Sequence, residues 1–337
     1  MGSGVGAGQR RSVGVPSPGL APYDGGMDAG LVELLRCPDC RLPVEDGRGL
    51  RCALCGTTYS TDGGIARFAG EGYVASFGRQ WNRYDVARDA EDEATFRVKT
   101  GVDARDLAGK LVLDAGCGGG RYSLLAAKHG AKVVGVDLSS AVEKARALCE
   151  GYPGVAIVQA DLTRLPLAEG VFDLAFSIGV LHHGPDPRGA FREVARRVKP
   201  GGKLAVWLYR RNTPPQEWVN SALRAVTTRM PARVLEPICA GLGAVGSVPV
   251  LRRTLNKVAN FSNHPDWTLR VCDNFDWYAP KYQSHHTVDE LKAWFAEEGY
   301  DDLVELPPAR SGRFYDWAYR RDLVIGSGVN VAGTRRA

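Results

Sequence analysis

Short apolar runs alternate with segments of helical periodicity over residues 110–209. The apolar runs predict five β-strands, and the segments between most of them predict three α-helices. Strands and helices that alternate in this way form a parallel sheet with helices on both faces. The predicted strands cover residues 111–115, 132–137, 155–160, 172–178 and 203–209, and the predicted helices cover 121–129, 139–150 and 187–198.

The segments on either side break this alternation. Residues 210–285 carry several prolines and long helical patterns, which predicts a helical insertion over one end of the sheet. Thr287 and Glu290 have the spacing of a capping box, and strands near 302–306 and 327–334 are expected to complete the sheet. The chain is thus divided into a flexible tail (1–28), a cysteine-bearing module (29–68), a helical linker over the site (69–100), the core (101–209), the helical insertion (210–285) and the end of the core (286–337).

A glycine-rich turn follows the first core strand, with glycines at 116, 118, 119 and 120. Glycine lets the backbone turn tightly and lets a ligand approach the main chain with no Cβ in the way. The helix that begins near Arg121 points the free N–H groups of its first turn at the same place. Because ligands of such sheets bind at the carboxyl ends of the strands, the turn predicts a nucleotide-containing cofactor there.

Two carboxylates end the following strands. Asp137 comes 21 residues after Gly116, where it can accept hydrogen bonds from both hydroxyls of a ribose. Asp161 ends the third strand, beside the expected position of an adenine amino group. The simpler alternatives are a helix N-cap for Asp137 and a turn cap for Asp161. The turn also admits an NAD-dependent oxidoreductase, but its G-x-G-G-G pattern differs from the usual G-x-G-x-x-G, and Asp161 argues against it.

Five successive motifs resemble those of class I S-adenosylmethionine-dependent methyltransferases, in order and at normal spacing. They are "VLDAGCGGGRY", "VVGVDLS", "VQADLTRLP", "FDLAFSIGVLHH" and "VKPGGKLAVWLY". The resemblance is strong over about 100–209 and weak over 287–337. It implies a methyltransferase with an α/β, Rossmann-like, doubly wound sheet of seven strands, the last of them antiparallel.

The resemblance also implies which residues bind S-adenosyl-L-methionine. Asp114 and the glycine turn would hold its methionine part, Asp137 its ribose, and Asp161 its adenine. The full set of expected cofactor-binding residues is Asp114, Gly116, Gly118, Gly120, Asp137, Leu138, Asp161, Leu162, Ser177 and Ile178.

His182 and His183 follow the fourth core strand at its carboxyl end, so at least one of them is expected to face the cleft. A methyl acceptor that carries a hydroxyl group needs a base for its proton, and imidazole is the usual one. Either histidine is therefore a candidate catalytic residue. The alternative is that one histidine braces the cofactor and the other packs against the following helix.

Aromatic residues of the flanking segments are candidates for a substrate lid. Trp81, Tyr278 and Tyr282 are the three selected. The face of an aromatic ring stabilises a nearby sulfonium charge. The alternative is that these side chains belong to the core of an amphipathic lid.

Four cysteines form two Cys-x-x-Cys pairs, at Cys37 and Cys40 and, after an eleven-residue gap, at Cys52 and Cys55. Two such pairs supply tetrahedral four-thiolate coordination for zinc, with no position left for water, so the metal is expected to be structural. The segment resembles the zinc ribbons of the small activator subunit of tRNA methyltransferases. The other cysteines are scattered, which suits a reducing cytoplasm better than a disulfide framework.

Composition narrows the function only slightly. The formal net charge of +5 in 337 residues permits an anionic substrate but does not by itself argue for nucleic acid. No apolar run reaches the roughly 18 residues of a membrane span, and the first 26 residues lack the apolar region of a secretion signal. No membrane association is therefore expected.

The sequence favours a methyltransferase that acts on the oxygen or nitrogen of a small molecule, such as a natural-product intermediate or a sugar. The long insertion is the reason, since it would enclose a compact pocket. An RNA base methyltransferase is the alternative, because arginines lie on the cysteine-bearing module. Two observations argue against it. Acidic residues nearby offset the charge of these arginines, and the sequence motif typical of enzymes that methylate exocyclic amines is absent. A non-enzymatic binding or activator subunit is the third possibility. The arginines are Arg36, Arg41, Arg48 and Arg51, and the acidic neighbours are Asp39, Glu45 and Asp46.

Overall fold

The computed structural model describes residues 29–47, 49–70, 72–74, 78, 89–211, 214–248, 262, 264, 266–306 and 328–337. The predicted tail, Arg48 and the lid candidate Trp81 lie outside these described residues.

The strands of the described residues are β1 Val44–Gly47, β2 Gly49–Cys52, β3 Thr58–Tyr59, β4 Ile65–Arg67, β5 Leu111–Ala115, β6 Lys132–Asp137, β7 Val155–Gln159, β8 Phe172–Ile178, β9 Val198–Tyr209, β10 Tyr300–Glu305 and β11 Gly328–Arg335. The first three form a small antiparallel sheet in the cysteine-bearing module. The others form one large sheet in the order β10-β11-β9-β8-β5-β6-β7-β4.

The large sheet confirms the predicted Rossmann-like, doubly wound architecture. Its strands run parallel except for β11, which is antiparallel to both of its neighbours, β9 and β10. Four of the five predicted core strands match the observed bounds to within one residue. The fifth, β9, begins at Val198 rather than at 203, because Val198 already pairs with Phe172 of β8, and the pairing is irregular between that pair and Leu174 with Lys203.

The sheet contains eight strands rather than seven, because the cysteine-bearing module contributes β4. This strand pairs in parallel with β7, with Ile65 opposite Ile157 and Arg67 opposite Gln159. Ile65 is fully buried, and β7 is buried along its whole length, as expected of an interior strand. The module therefore continues the sheet instead of only lying beside it.

Backbone hydrogen bonds tie the same module to the loop that follows β7. The Arg36 amide donates to the Pro166 carbonyl oxygen at 2.8 Å, and the Ala168 amide donates to the Leu34 carbonyl oxygen at 2.8 Å. Pro166 and Ala168 both belong to the loop that follows β7 and Asp161. The cysteine-bearing module therefore holds this loop in position.

A buried charge network reinforces this contact. Arg197 is fully buried and pairs with Glu193 at 2.8 Å and with Glu169 at 2.9 Å. Arg41 of the module reaches the same Glu193 carboxylate at 2.9 Å and donates to the Leu165 carbonyl oxygen at 3.0 Å. A buried guanidinium costs several kcal/mol unless it is paired, and here both Nη atoms of Arg197 donate to oxygens of the core.

The helices are α1 Ala29–Val32, α2 Asp89–Thr100, α3 Arg121–Lys128, α4 Ala141–Leu148, α5 Pro187–Arg197, α6 Pro214–Thr227, α7 Ala232–Gly246, α8 Trp267–Tyr278 and α9 Val288–Glu297. Helices α2, α3 and α4 share one apolar cluster with one face of the sheet, and α5, α9 and the cysteine-bearing module share a second cluster with the other face. The predicted capping box is present at the start of α9, where Thr287 and Glu290 exchange their two hydrogen bonds.

Helices α6, α7 and α8 form a separate layer with its own apolar cluster, which includes Leu235, Val271 and Phe275. Arg224 of α6 holds the end of α8 by donating to the carbonyl oxygens of Trp277, in its last turn, and Pro280, just after it. Within the described ranges, no helix combines the length and the apolar character required to cross a bilayer.

The glycine turn between β5 and α3 has the backbone that its sequence predicts. Gly116 and Gly120 adopt φ values of +92° and +86°, which L side chains rarely adopt. A Cβ at Gly116 would also lie 2.3 Å from the side chain of Val180. Asp114 anchors the turn from behind, since its buried carboxylate accepts a 2.7 Å hydrogen bond from the Ser123 hydroxyl of α3.

Burial raises the pKa of Asp114 to about 7. A carboxyl whose pKa is higher in the folded state than in the unfolded state stabilises the fold while it is protonated, and this contribution is lost as the pH rises through 7. In the cofactor-free protein, Asp114→Asn should therefore gain stability relative to the parent between pH 4 and pH 8, by up to about 4 kcal/mol. Urea unfolding at several pH values measures this difference. A difference in unfolding free energy between the two proteins that does not change with pH would contradict this prediction.

Candidate active site

A cavity opens at the carboxyl ends of β5, β6, β7 and β8, and it encloses about 1110 Å³, part of which is open to solvent. Most of the residues predicted from the cofactor motifs surround it. The glycine turn forms one wall, and the ends of β6 and β7 form the next. The predicted residues that line the cavity are Gly116, Gly118, Asp137, Leu138, Asp161, Leu162, Ile178 and His183.

Four other predicted residues lie behind this wall. Asp114 faces Ser123, and Gly120 caps α3, where a Cβ would lie 2.8 Å from the Cα of Ala145. The buried hydroxyl of Ser177 donates to the Ala115 carbonyl oxygen at 2.7 Å and so joins β8 to the end of β5. His182 is fully buried and stacks on Tyr209, with 3.9 Å between ring centroids.

Asp137 connects the glycine turn to β6. Its Oδ2 atom accepts a 2.9 Å hydrogen bond from the Gly118 amide, and its Oδ1 atom accepts from the amide and hydroxyl of Ser139 at 2.8 and 2.6 Å. Burial raises the pKa of Asp137, and the hydrogen bonds from Ser139 and Gly118 oppose that shift. The carboxylate thus holds the turn in position and also faces the cavity.

Asp161 has a structural role as well as a position in the cavity. Its Oδ1 atom accepts from the amide and hydroxyl of Thr163 at 2.8 and 2.7 Å, so it caps the short helical turn that follows β7. The turn cap is therefore present, the carboxylate also lies on the cavity wall, and its contact with adenine stays a prediction.

Gln159 links the site to the cysteine-bearing module. Its Nε2 donates to the carbonyl oxygen of Leu138 at 3.1 Å, and its Oε1 accepts from Arg67 of β4 at 2.6 Å. One buried side chain therefore joins the module to a residue of the cavity wall. Sequence reasoning missed Gln159, because nothing in a single sequence indicates that β4 pairs with β7.

The two described lid candidates, Tyr278 and Tyr282, lie in different parts of the structure. Tyr282 lies beside the cavity, where its ring meets the ring of the lining residue Tyr73 edge to face at 5.3 Å between centroids. Tyr73 and Val74 line the cavity and follow the cysteine-bearing module directly. Tyr278 is buried in the apolar cluster of the helical layer instead. Sequence reasoning missed Tyr73, although it lies in the segment predicted to cover the site.

His183 lies on the cavity wall, next to helix α8. Its Nδ1 is 3.3 Å from the Tyr282 carbonyl oxygen, and its Nε2 is 3.5 Å from Oδ2 of Asp276. The Tyr209 hydroxyl donates a hydrogen bond to the same Asp276 oxygen. Burial lowers the pKa of the neighbouring His182 well below its usual value, which keeps that ring neutral. Asp276 was missed because it belongs to α8, far from the histidines in sequence.

More charged groups lie between α2 and α8. The ammonium of Lys99 lies 4.0 Å from the ring centroid of Trp207, and burial lowers the pKa of Lys99 to about 7. Burial also raises the pKa of Asp273 to about 6. Arg121, on the cavity wall, pairs with the buried Asp92 at 3.3 Å. This end of the cavity is therefore polar.

The four cysteines of the module meet at one point, with all four sulfur atoms within 4.8 Å of one another. The sulfur atoms of Cys37 and Cys55 lie 3.8 Å apart. Zinc–sulfur bonds of about 2.3 Å in a tetrahedron require sulfur–sulfur distances of about 3.8 Å. The donor set and its spacing therefore fit a zinc ion.

Comparison with known proteins agrees with this geometry. A protein-family model described as a methyltransferase domain matches residues 113–206. Ubiquinone biosynthesis O-methyltransferases from Pseudomonas paraeruginosa and Pseudomonas fluorescens are each 36% identical over 137 residues, which are 40% of this chain and 59% of the relative. The chain thus spans about three fifths of the length of these curated relatives.

Solved structures with a similar fold include an S-adenosylmethionine-dependent methyltransferase from Mesorhizobium loti, at 23% identity and a TM-score of 0.41 over 68% of this chain and 92% of that one. A complex between the Trm112 methyltransferase activator of Haloferax volcanii and a putative methyltransferase matches at 16% identity and a TM-score of 0.44, over 77% of this chain and 98% of that one. The family match, the order of the motifs and the topology of the sheet agree. The core of this chain is a class I S-adenosylmethionine-dependent methyltransferase domain.

Proposed function

We propose that the protein transfers a methyl group from S-adenosyl-L-methionine to the oxygen of a small molecule. The observation that carries the proposal is the cavity itself. Glycine backbone, three carboxylates and an imidazole line one continuous space at the carboxyl ends of the strands. This is where doubly wound sheets bind their ligands.

Each part of the cavity suits one part of the cofactor. Gly116 and Gly118 leave main chain open to the methionine part, Asp137 would accept hydrogen bonds from the ribose, and Asp161 with Leu162 would hold the adenine. The bound cofactor supplies an electrophilic methyl group on a sulfonium. The protein must then hold an acceptor atom in line with that methyl group, so catalysis depends mainly on how the two reactants are positioned.

The surroundings of His183 favour a compact acceptor. Helix α8 and the segment around Tyr282 cover this end of the cavity and bring Asp276 next to the histidine. An extended polymer needs an open surface, whereas a small molecule fits an enclosed pocket. The O-methyltransferase relatives favour an oxygen acceptor.

The arginines of the cysteine-bearing module give little support to the RNA alternative. Arg41 is engaged by Glu193 and the Leu165 carbonyl oxygen, and Arg36 donates to the carbonyl oxygens of Glu33 and Leu35. Phosphate recognition requires guanidinium groups that point away from the protein. These two instead stabilise the module and its contact with the core.

The four-cysteine cluster is proposed to bind one structural zinc ion. Four thiolates complete the coordination of the metal and leave no position for a reacting water. Inside the module, Tyr59 packs on Phe68 at 4.5 Å between ring centroids, and its hydroxyl contacts the sulfur of the cluster residue Cys37 at 3.2 Å. Metal binding would therefore contribute directly to its folding.

Asp137→Asn should weaken S-adenosyl-L-methionine binding by roughly 10- to 100-fold, because an amide loses the charge-assisted hydrogen bonds to the ribose and to the Gly118 amide. Isothermal titration calorimetry measures the affinity, and mass spectrometry of candidate acceptors after incubation measures the gain of one methyl group. Asp106→Asn, at an exposed carboxylate outside the cavity wall, is the matched control and should bind normally. Equal affinities for the two variants would refute the ribose assignment.

One zinc per chain is expected in the purified protein, and Cys52→Ser should lose it together with several degrees of thermal stability. Elemental analysis and thermal unfolding measure these two quantities. Cys149→Ser, which replaces an equally buried cysteine outside the cluster, is the control and should keep its metal. Full stability of the Cys52 variant without metal would show that zinc does not hold the module together.

A further inference from the structure

Helix α6 is amphipathic in the reverse of the usual sense. Its side chains that face the protein are polar: Gln216 and Asn220 are buried, and Glu217 pairs with a histidine of the chain just before α9. On the other side of the helix, the side chains of Trp218 and Val226 are 72% and 57% exposed. A surface helix normally buries its apolar stripe and turns its polar side chains to water. Helix α6 therefore presents to the exterior the face that a helix usually buries.

Helix α7 is apolar on both sides. Leu235 and Cys239 pack into the apolar cluster that α7 shares with α8. Val234 and Ile238 come one residue earlier on the same two turns, and they are 46% and 41% exposed. A helix that is apolar all round is normally buried in a protein core or in a membrane. Among the described residues, only one side of α7 has such cover.

We use the name outer face for the exposed apolar side of these two helices, which carries Trp218, Leu223, Val226, Val234 and Ile238. Single exposed apolar side chains are common on protein surfaces. A concentration of them over two consecutive helices instead marks a surface that binds a partner.

The charged groups beside the outer face are mainly basic. Arg229 and Arg233 are exposed, in the turn that joins α6 to α7 and in the first turn of α7. The acidic residues of the two helices are Glu217, which faces inward, and Glu236, which is half-buried. Apolar side chains combined with arginines suit the surface of a bilayer with anionic headgroups, and tryptophan is enriched at that depth.

A second copy of the chain suits the outer face less well. In a twofold dimer the same surface patch of both copies meets. The arginines of both copies would then enter one apolar interface with only Glu236 to offset them, and an unpaired buried charge is costly. At a bilayer surface the long stem of arginine lets its charged head stay among the headgroups.

We propose that the outer face of the helical layer docks on an anionic lipid surface, with its apolar side chains between the headgroups and with Arg229 and Arg233 on the phosphates. This interaction goes beyond methyl transfer and does not depend on it. The expectation of no membrane association rests on the lack of a long apolar run, whereas a helix that lies along a bilayer needs only one apolar face.

The test measures how the purified full-length protein sediments with vesicles of phosphatidylcholine and phosphatidylglycerol, and with vesicles of phosphatidylcholine alone. The double variant Trp218→Ser/Ile238→Ser should weaken partitioning by roughly 10-fold or more, because it removes apolar surface that the bilayer would bury. Val304→Ser changes an apolar residue of β10 that is 53% exposed, so it is the matched control and should partition like the parent.

A second pair of variants tests the charges. Arg229→Gln/Arg233→Gln should weaken binding to the anionic vesicles by roughly 5-fold per arginine and should leave binding to the neutral vesicles almost unchanged. Lys132→Gln/Lys203→Gln removes the same charge from exposed positions of β6 and β9 and is the control. An equal effect of the two pairs would show attraction by net charge alone, and it overturns the proposal.

The apolar arm has its own contrary outcomes. Full partitioning of Trp218→Ser/Ile238→Ser, or no partitioning of the parent, overturns the proposal. The unaltered protein gives a measurement that no folding defect affects: lipids brominated in their acyl chains should quench its tryptophan fluorescence, and absence of quenching is again a contrary result. Light scattering tests the dimer, because a dimeric parent that becomes monomeric in Trp218→Ser/Ile238→Ser assigns the outer face to a second copy instead.

Discussion

The carboxylate of Asp137 determines the form of the cavity, because it joins the carboxyl ends of β5 and β6. Its hydrogen bond from Gly118 helps to fix a turn in which Cys117 carries the one side chain between Gly116 and Gly120. A buried carboxylate is costly, and the amides and hydroxyl that donate to it offset that cost. This wall of the cavity is therefore mainly backbone, and a charged side chain holds it in position.

The sequence predicted those features that depend on neighbours along the chain. The glycine turn, the capping box at Thr287 and the strand ends at Asp137 and Asp161 are all local patterns, and each is found where expected. Pairing between distant segments leaves no such pattern. The parallel contact of β4 with β7 and the approach of Asp276 to His183 arise only when the chain folds, because they depend on loop paths that a single sequence does not specify.

Segments from both ends of the chain complete the site. Tyr73 follows the cysteine-bearing module, Tyr282 follows the helical layer, and their rings meet beside the cavity. Asp276 comes from the same layer and supplies the charge next to His183. The strand ends of the sheet thus form one side of the cavity, while the added parts cover another. This division fits a fold that supports many reactions by changing the segments attached to a constant core.

The position of β4 at the outer edge of β7 has a further consequence for the folding protein. Strand β7 consists of Val155–Gln159, and without β4 its outer edge would present unpaired amides and carbonyls next to apolar side chains. Such an edge is a template on which strands of other molecules assemble. By pairing with this edge, the cysteine-bearing module removes the template, and unfolding of the module would expose it.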